Sequence, residues 1–104
     1  MTTTIRTATA ADIDGLTCVH RDCRDPWQTR EECEDWVLHR LSRGFLLRVA
    51  LVGGRVVGHA EWIRSDEPAG TLLHLGLLQI DAEWQQRGIG SQMIDDGVRL
   101  ASAS

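Results

Sequence analysis

A chain of 104 residues has room for one domain around one hydrophobic core, and its 42% hydrophobic and 25% charged residues are ordinary for a water-soluble globular protein. A net charge of −4 and a pI near 5.4 argue against nucleic acid as a bulk electrostatic partner. No apolar run approaches the ~18 residues of a membrane span, and Met1-Thr2-Thr3-Thr4 lacks the basic start and apolar stretch of a secretory signal, so a cytoplasmic protein without a membrane partner is expected.

Thr4-Ile5-Arg6-Thr7 reads as a short first strand. Thr9 can cap a helix over 10–22, in which Ile13, Leu16, His20 and Cys23 recur at helical steps and Asp12 and Asp14 favour the positive end. Asp25-Pro26 breaks the chain. Thr29-x-x-Glu32 is a capping box for a second helix to about Arg43, with Cys33, Trp36, Val37 and Leu41 on one face and Gly44 as the stop. Phe45 to Val52 is a nearly continuous apolar strand, which Gly53-Gly54 turns back into a second strand over Arg55 to Arg64. The polar stretch from Ser65 to Gly70 reads as another turn, and Thr71 to Ile80 as a third long strand. A final helix over 89–101 follows, with Ile89, Met93, Ile94, Gly97 and Ala101 toward the sheet. The fold class is mixed α/β in the order β–α–α–β–β–β–loop–α, without repeats.

The three cysteines, Cys18, Cys23 and Cys33, are expected as reduced thiols. Cys18-x-His20-x-x-Cys23 with Cys33 could be drawn as four zinc ligands, but the spacing matches no compact knuckle. Helical periodicity already accounts for Cys23 and Cys33 as small apolar fillers, so no metal is expected.

The chemistry concentrates between the last strand and the last helix, in Gln85-Gln86-Arg87-Gly88-Ile89-Gly90-Ser91. A helix N-terminus exposes N–H groups without intrahelical partners and carries partial positive charge, and glycines let a phosphate approach the backbone. A Walker loop needs a lysine, and all 11 basic residues here are arginine. A dinucleotide fingerprint needs a third glycine where Met93 stands, and an acidic residue farther along than the sequence extends.

The remaining pattern, Gln/Arg-x-x-Gly-x-Gly/Ala, is met in full by Gln85-x-x-Gly88-x-Gly90. Together with the strand-end and turn Leu78-Gln79-Ile80-Asp81-Ala82-Glu83-Trp84, it resembles the loop of the GNAT superfamily of acyl-CoA-dependent N-acetyltransferases. The element order is similar to the opening of that fold, so the resemblance covers nearly the whole chain as one GNAT-like domain over 1–104. It implies a three-layer β-α-α-β-β-β-α arrangement and acetyl-CoA as acyl donor. A pantetheine arm would be bonded by the backbone of Leu78, Gln79 and Ile80, with Gln85 opening the motif and the diphosphate on the N–H groups of Gln86, Arg87, Gly88, Ile89, Gly90 and Ser91. Arg87 is either an added cation for the diphosphate or a solvated loop charge.

The resemblance also places His74 where some members carry a glutamate base. A histidine can accept a proton from an ammonium substrate, and it can equally be a histidine on a sheet face with a satisfied hydrogen bond. His59 and Glu61 are second-rank candidates for contact with the acceptor amine, Trp27 is a candidate for lining its pocket, and Asp81 and Glu83 are expected to cap the turn. Gly76, in mid-strand, is expected to mark a β-bulge.

The usual C-terminal strand, helix and hairpin of the family have no counterpart here, nor does the tyrosine that protonates the departing thiolate, since the chain has no tyrosine. Three readings follow: a fragment of a longer acetyltransferase, a homodimer in which a second copy completes the sheet edge, or a noncatalytic CoA-binding or protein-interaction module. A small-molecule or peptide amine is the expected acceptor. A nucleotide-phosphate binder is the other class that such a loop could serve.

Overall fold

Two tight hairpins gather the middle of the chain into a sheet. The computed structural model describes residues 2–21, 30–43 and 45–102. Strands β1 (Thr3–Thr7), β2 (Leu46–Val52), β3 (Arg55–Glu67) and β4 (Gly70–Ile80) lie in the order β1-β2-β3-β4, each neighbour antiparallel. Val52 pairs with Arg55, so Gly53 (φ 58°) and Gly54 (φ 80°) alone make the first turn, both in the left-handed region that suits a type I′ hairpin.

At the second hairpin the ladder runs farther than the polar stretch suggests. Ser65, Asp66 and Glu67 pair with Leu72, Thr71 and Gly70, leaving Pro68 and Ala69 as the turn. Polarity misled here because ladder hydrogen bonds are made by the backbone, which continues across side chains that face water.

Helices α1 (Ile13–Arg21) and α2 (Arg30–Ser42) cover one face of the sheet, and α3 (Ile89–Ser102) covers the other. Ile13, Leu16, Val19 and Val37 pack with Leu47, Val49 and Val56 on the first face. Ile89 and Met93 pack with Ala50, Val57, Ala60 and Trp62 on the second. Each large aliphatic side chain so buried contributes about 1.5–3 kcal/mol.

The buried stripe of α3 is Ile89, Met93, Asp96 and Gly97; Ile94, expected to face the sheet, is about one-third exposed. Asp96 takes the inner place because Arg48 of β2 meets it with two hydrogen bonds of 2.9 Å, and Arg48 also donates to the Thr7 hydroxyl. A second pair closes the start of α1. Arg6 donates to both carboxylate oxygens of Asp12 at 2.8 Å, and the Thr9 N–H donates to the same carboxylate, so Asp12 caps backwards through a 3-10 turn, Ala10–Asp12.

Two bulges break the ladders. Ala50 pairs with Gly58 and Leu51 with Val56, leaving Val57 extra. Glu61 pairs with Leu77 and Trp62 with Leu75, leaving Gly76 as the bulge expected from the sequence.

Candidate active site

The loop is built outward from Asp81. This residue is fully buried at the end of β4, where its N–H donates to the Val57 carbonyl at 2.8 Å. Its carboxylate accepts from the Glu83 N–H at 3.0 Å and from Arg55 at 3.1 Å, starting a 3-10 turn over Ala82–Trp84. Asp81 is therefore the cap expected of it, while Glu83 is exposed and contributes its N–H. The Gln85 amide reaches back to the Ile80 carbonyl at 3.1 Å, fastening the loop to the strand end.

Gln86 (φ 62°) and Gly88 (φ 83°) then turn the backbone through the left-handed region. That conformation is ordinary for glycine and costs a glutamine on the order of 1 kcal/mol. Strain of this kind persists where the surrounding structure holds it, and here it lies at the mouth of α3.

The Gln92 N–H bonds the Gly88 carbonyl at 3.0 Å, so the N–H groups of Ile89, Gly90 and Ser91 come before the first helical bond and lack intrahelical acceptors. A Cβ at Gly88 would meet no atom within 4 Å, and one at Gly90 only the Leu78 Cδ2 at 4.0 Å. Gln85, Gln86, Arg87, Gly88 and Ser91 are exposed, Gly90 is half-buried, and Ile89 is buried as the peg that seats the loop on the core. Arg87 lies over the Trp84 ring at 4.8 Å, and beside it a cleft of about 160 Å³ is lined by Thr3, Val52, Trp84, Arg87 and Ile89.

Leu78, Gln79 and Ile80 are half-buried and pair with Ala60, His59 and Gly58 on one side only; β4 is the edge of the sheet among the described residues. Its outer backbone groups face away from β3.

His74 lies farther back on β4, opposite Ile63, exposed, and on the face that carries α1 and α2. His59 and Glu61 lie on that face too. His59 is fully buried edge-on to Trp36, with ring centroids 5.3 Å apart. Glu61 is buried, and its Oε1 stands 3.4 Å from Arg40, whose guanidinium is held over both the Trp36 and Phe45 rings. Sequence reasoning missed Arg40, although its four-residue step from Trp36 on α2 was visible. Cys23 and Trp27 lie outside the described residues, and Cys18, His20 and Cys33 are placed by their backbones alone. No group of metal-ligating side chains occurs among the described residues.

The sequence model of the acetyltransferase (GNAT) family matches residues 13–104. The chain belongs to this family. Acyl transfer is thereby its class of chemistry. The fold is similar to that of a GNAT family acetyltransferase from Staphylococcus aureus, with a TM-score of 0.87 at 12% identity over 99% of this chain and 80% of that one. A possible acetyltransferase from Clostridium difficile 630 gives 0.79 at 16% identity, over 100% of this chain and 74% of that one. A phosphinothricin acetyltransferase from Sinorhizobium meliloti, solved in complex with AcCoA, gives 0.73 at 22% identity, over 99% and 61%. At these identities the likeness is one of fold. No curated protein matches the chain. Among the described residues no helix is long and apolar enough to cross a membrane.

Proposed function

We propose that the protein moves an acetyl group from acetyl-CoA to a primary amine by direct attack. Gly90 carries this reading. Unlike Gly88 it has no positive φ, and a Cβ there would find room inside the protein. The chain's own packing does not call for a glycine, and in a helix glycine costs about 1 kcal/mol against alanine. A ligand lying against the bare N–H groups does call for one, and a diphosphate suits a helix N-terminus.

In this reading the N–H groups from Gln86 to Ser91 hold the diphosphate and Arg87 adds a cation. The backbone edge of Leu78, Gln79 and Ile80 receives the extended amide-bearing arm as an added strand. Bound acetyl-CoA supplies a thioester, whose C–S bond breaks as the C–N bond to the amine forms. His74 takes the proton released by the ammonium, directly or through water, and the thiolate takes a proton from water, a cysteine or a partner. The neighbour solved with AcCoA supports the donor assignment by likeness of fold.

The unpaired edge of β4 favours a second reading, a noncatalytic CoA-binding module or one completed by a second copy. Calorimetry with acetyl-CoA, CoA, ATP and NAD, followed by a thiol-release assay with mixed primary amines, decides between them. Acetyl-CoA binding with amine-dependent thiol release is the expected result. CoA binding without release would leave the module, and preference for ATP or NAD would overturn both.

A further inference from the structure

Asp81 uses every polar atom it has. Its N–H donates to the Val57 carbonyl at 2.8 Å, and its own carbonyl accepts from the Trp84 N–H at 2.8 Å. Its carboxylate accepts from the Glu83 N–H through Oδ1 at 3.0 Å and from Arg55 Nη2 through Oδ2 at 3.1 Å. Arg55 is thus the side chain, among backbone partners, that brings positive charge to this residue.

That charge matters because of where Asp81 sits. Its carboxylate is fully buried at the foot of a loop whose far end carries the N–H groups of Ile89, Gly90 and Ser91. Left without a cation, a buried carboxylate draws in water or takes up a proton, and either change loosens its hold on the Glu83 N–H. It also opposes an incoming anion, because repulsion reaches farther where water is excluded.

Arg55 opens β3 directly after the Gly53-Gly54 turn, and Val57 is the extra residue of the bulge between β2 and β3. The hairpin therefore grips the end of β4 twice, by the side chain of one residue and the carbonyl of the other. The Gln85 amide holds the neighbouring Ile80 carbonyl. The path of the loop is fixed at Ile80 and Asp81 before Gln86 and Gly88 turn it into α3.

We infer that Arg55 is a positioning residue for the diphosphate loop, acting through the Asp81 carboxylate and not on the ligand. This rests on the acetyl-CoA reading and deepens it, since donor affinity is then set in part from the β2–β3 hairpin.

Calorimetry of the whole chain with acetyl-CoA tests the role, together with NMR of the free protein. Arg55→Met should weaken binding about tenfold, as for the loss of one charge-assisted hydrogen bond. Arg55→Lys should restore most of it, because Asp81 takes a single bond from this side chain. Arg64→Met removes an equal charge from the far part of β3 and should bind as the parent does. In an Asp81→Asn background Arg55→Met should make no further difference, and this comparison strands no charge, so it holds even if Arg55→Met alone fails to fold. Without ligand, Arg55→Met should move the Gly88 and Gly90 amide signals as well as that of Glu83. Unchanged affinity in Arg55→Met, an equal loss in Arg64→Met, a full loss that persists beside Asp81→Asn, or shifts confined to Glu83 would each overturn the role. A parent chain that does not bind acetyl-CoA would remove the acetyl-CoA reading, and the Gly88 and Gly90 signals would still decide whether Arg55 sets the loop.

Discussion

Trp62 of β3 lies with its indole directly on the bare Cα of Gly97 in α3, and a Cβ added at Gly97 would overlap the six-membered ring. Met93 packs one helical turn earlier in the same cluster, so this contact sets how closely α3 approaches the sheet. The loop at the mouth of α3 inherits that distance. Gly97→Ala should therefore destabilise the fold by about 1–3 kcal/mol through overpacking, more than the ~1 kcal/mol that alanine gains in a helix. Denaturant unfolding measures it. Combining Gly97→Ala with Trp62→Leu should recover most of the loss, and strictly additive losses would show that the ring is not what the methyl meets.

Arg48 and Asp96 are both largely buried and joined by two hydrogen bonds. Arg48→Met should cost about 3 kcal/mol, because it strands a buried carboxylate that keeps only the 3.7 Å contact with Arg99. Arg48→Met together with Asp96→Leu should be milder than Arg48→Met alone, since no charge is then left unpaired. Thermal unfolding of the three variants provides the comparison.

Gly88 and Gly90 should respond in opposite senses. Gly88→Ala forces a side chain into a φ of 83° and should lower stability by about 1 kcal/mol. Gly90→Ala should leave stability equal or up to about 1 kcal/mol higher, since the added methyl has room. Its effect on acetyl-CoA should be the reverse, with weaker binding, and Gly90→Val should abolish binding by crowding the phosphates. Calorimetry showing undiminished affinity in Gly90→Val would take the loop out of the binding site.

The carboxyl of Asp12 is held below the usual carboxylate range, chiefly by the Arg6 hydrogen bonds and also by the Thr9 N–H, against an opposing effect of burial. Its contribution is thus fully present above the unfolded-state pKa of roughly 3.9 and is lost as pH falls through the depressed folded value. Asp12→Ala should cost about 1 kcal/mol at neutral pH, the size of a lost helix cap. The gap between Asp12→Ala and the parent should then close on acidification below that range. A gap that stays constant down to pH 2 would rule out this linkage.

Leu72 and Leu75 are 48% and 41% exposed on the strand that is unpaired along its outer edge among the described residues. Self-association at that edge is the expected consequence, visible as concentration-dependent elution in sizing chromatography. Leu75→Lys should weaken it, because a charge on an edge strand opposes pairing between copies. An identical elution profile for the parent and Leu75→Lys would place any association elsewhere.

Local rules were enough for much of this molecule. Gly53-Gly54 signalled its hairpin because only a left-handed pair closes that turn. The spacing of Ile13 and Leu16 marked one face of α1, since helical period is a property of neighbours in sequence, while Val19, which completes that buried face, was not singled out. The glycine loop before α3 was readable for the same reason, as its geometry is made by contiguous residues and their own backbone. What the linear order could not decide was which way β3 and β4 present their side chains. Each bulge reverses the alternation, and the bulge at Val57 shows in register alone. The burial of Glu61 beneath Arg40 and the exposure of His74 on the same face both follow from that register. So does Asp96 in the core of α3, where a carboxylate is tolerable only because a residue 48 positions away brings a guanidinium to it. Sequence determined the elements and the loop because those interactions are short-range. Only the tertiary structure chose which charges were buried together, because desolvation depends on what the rest of the chain lays over them.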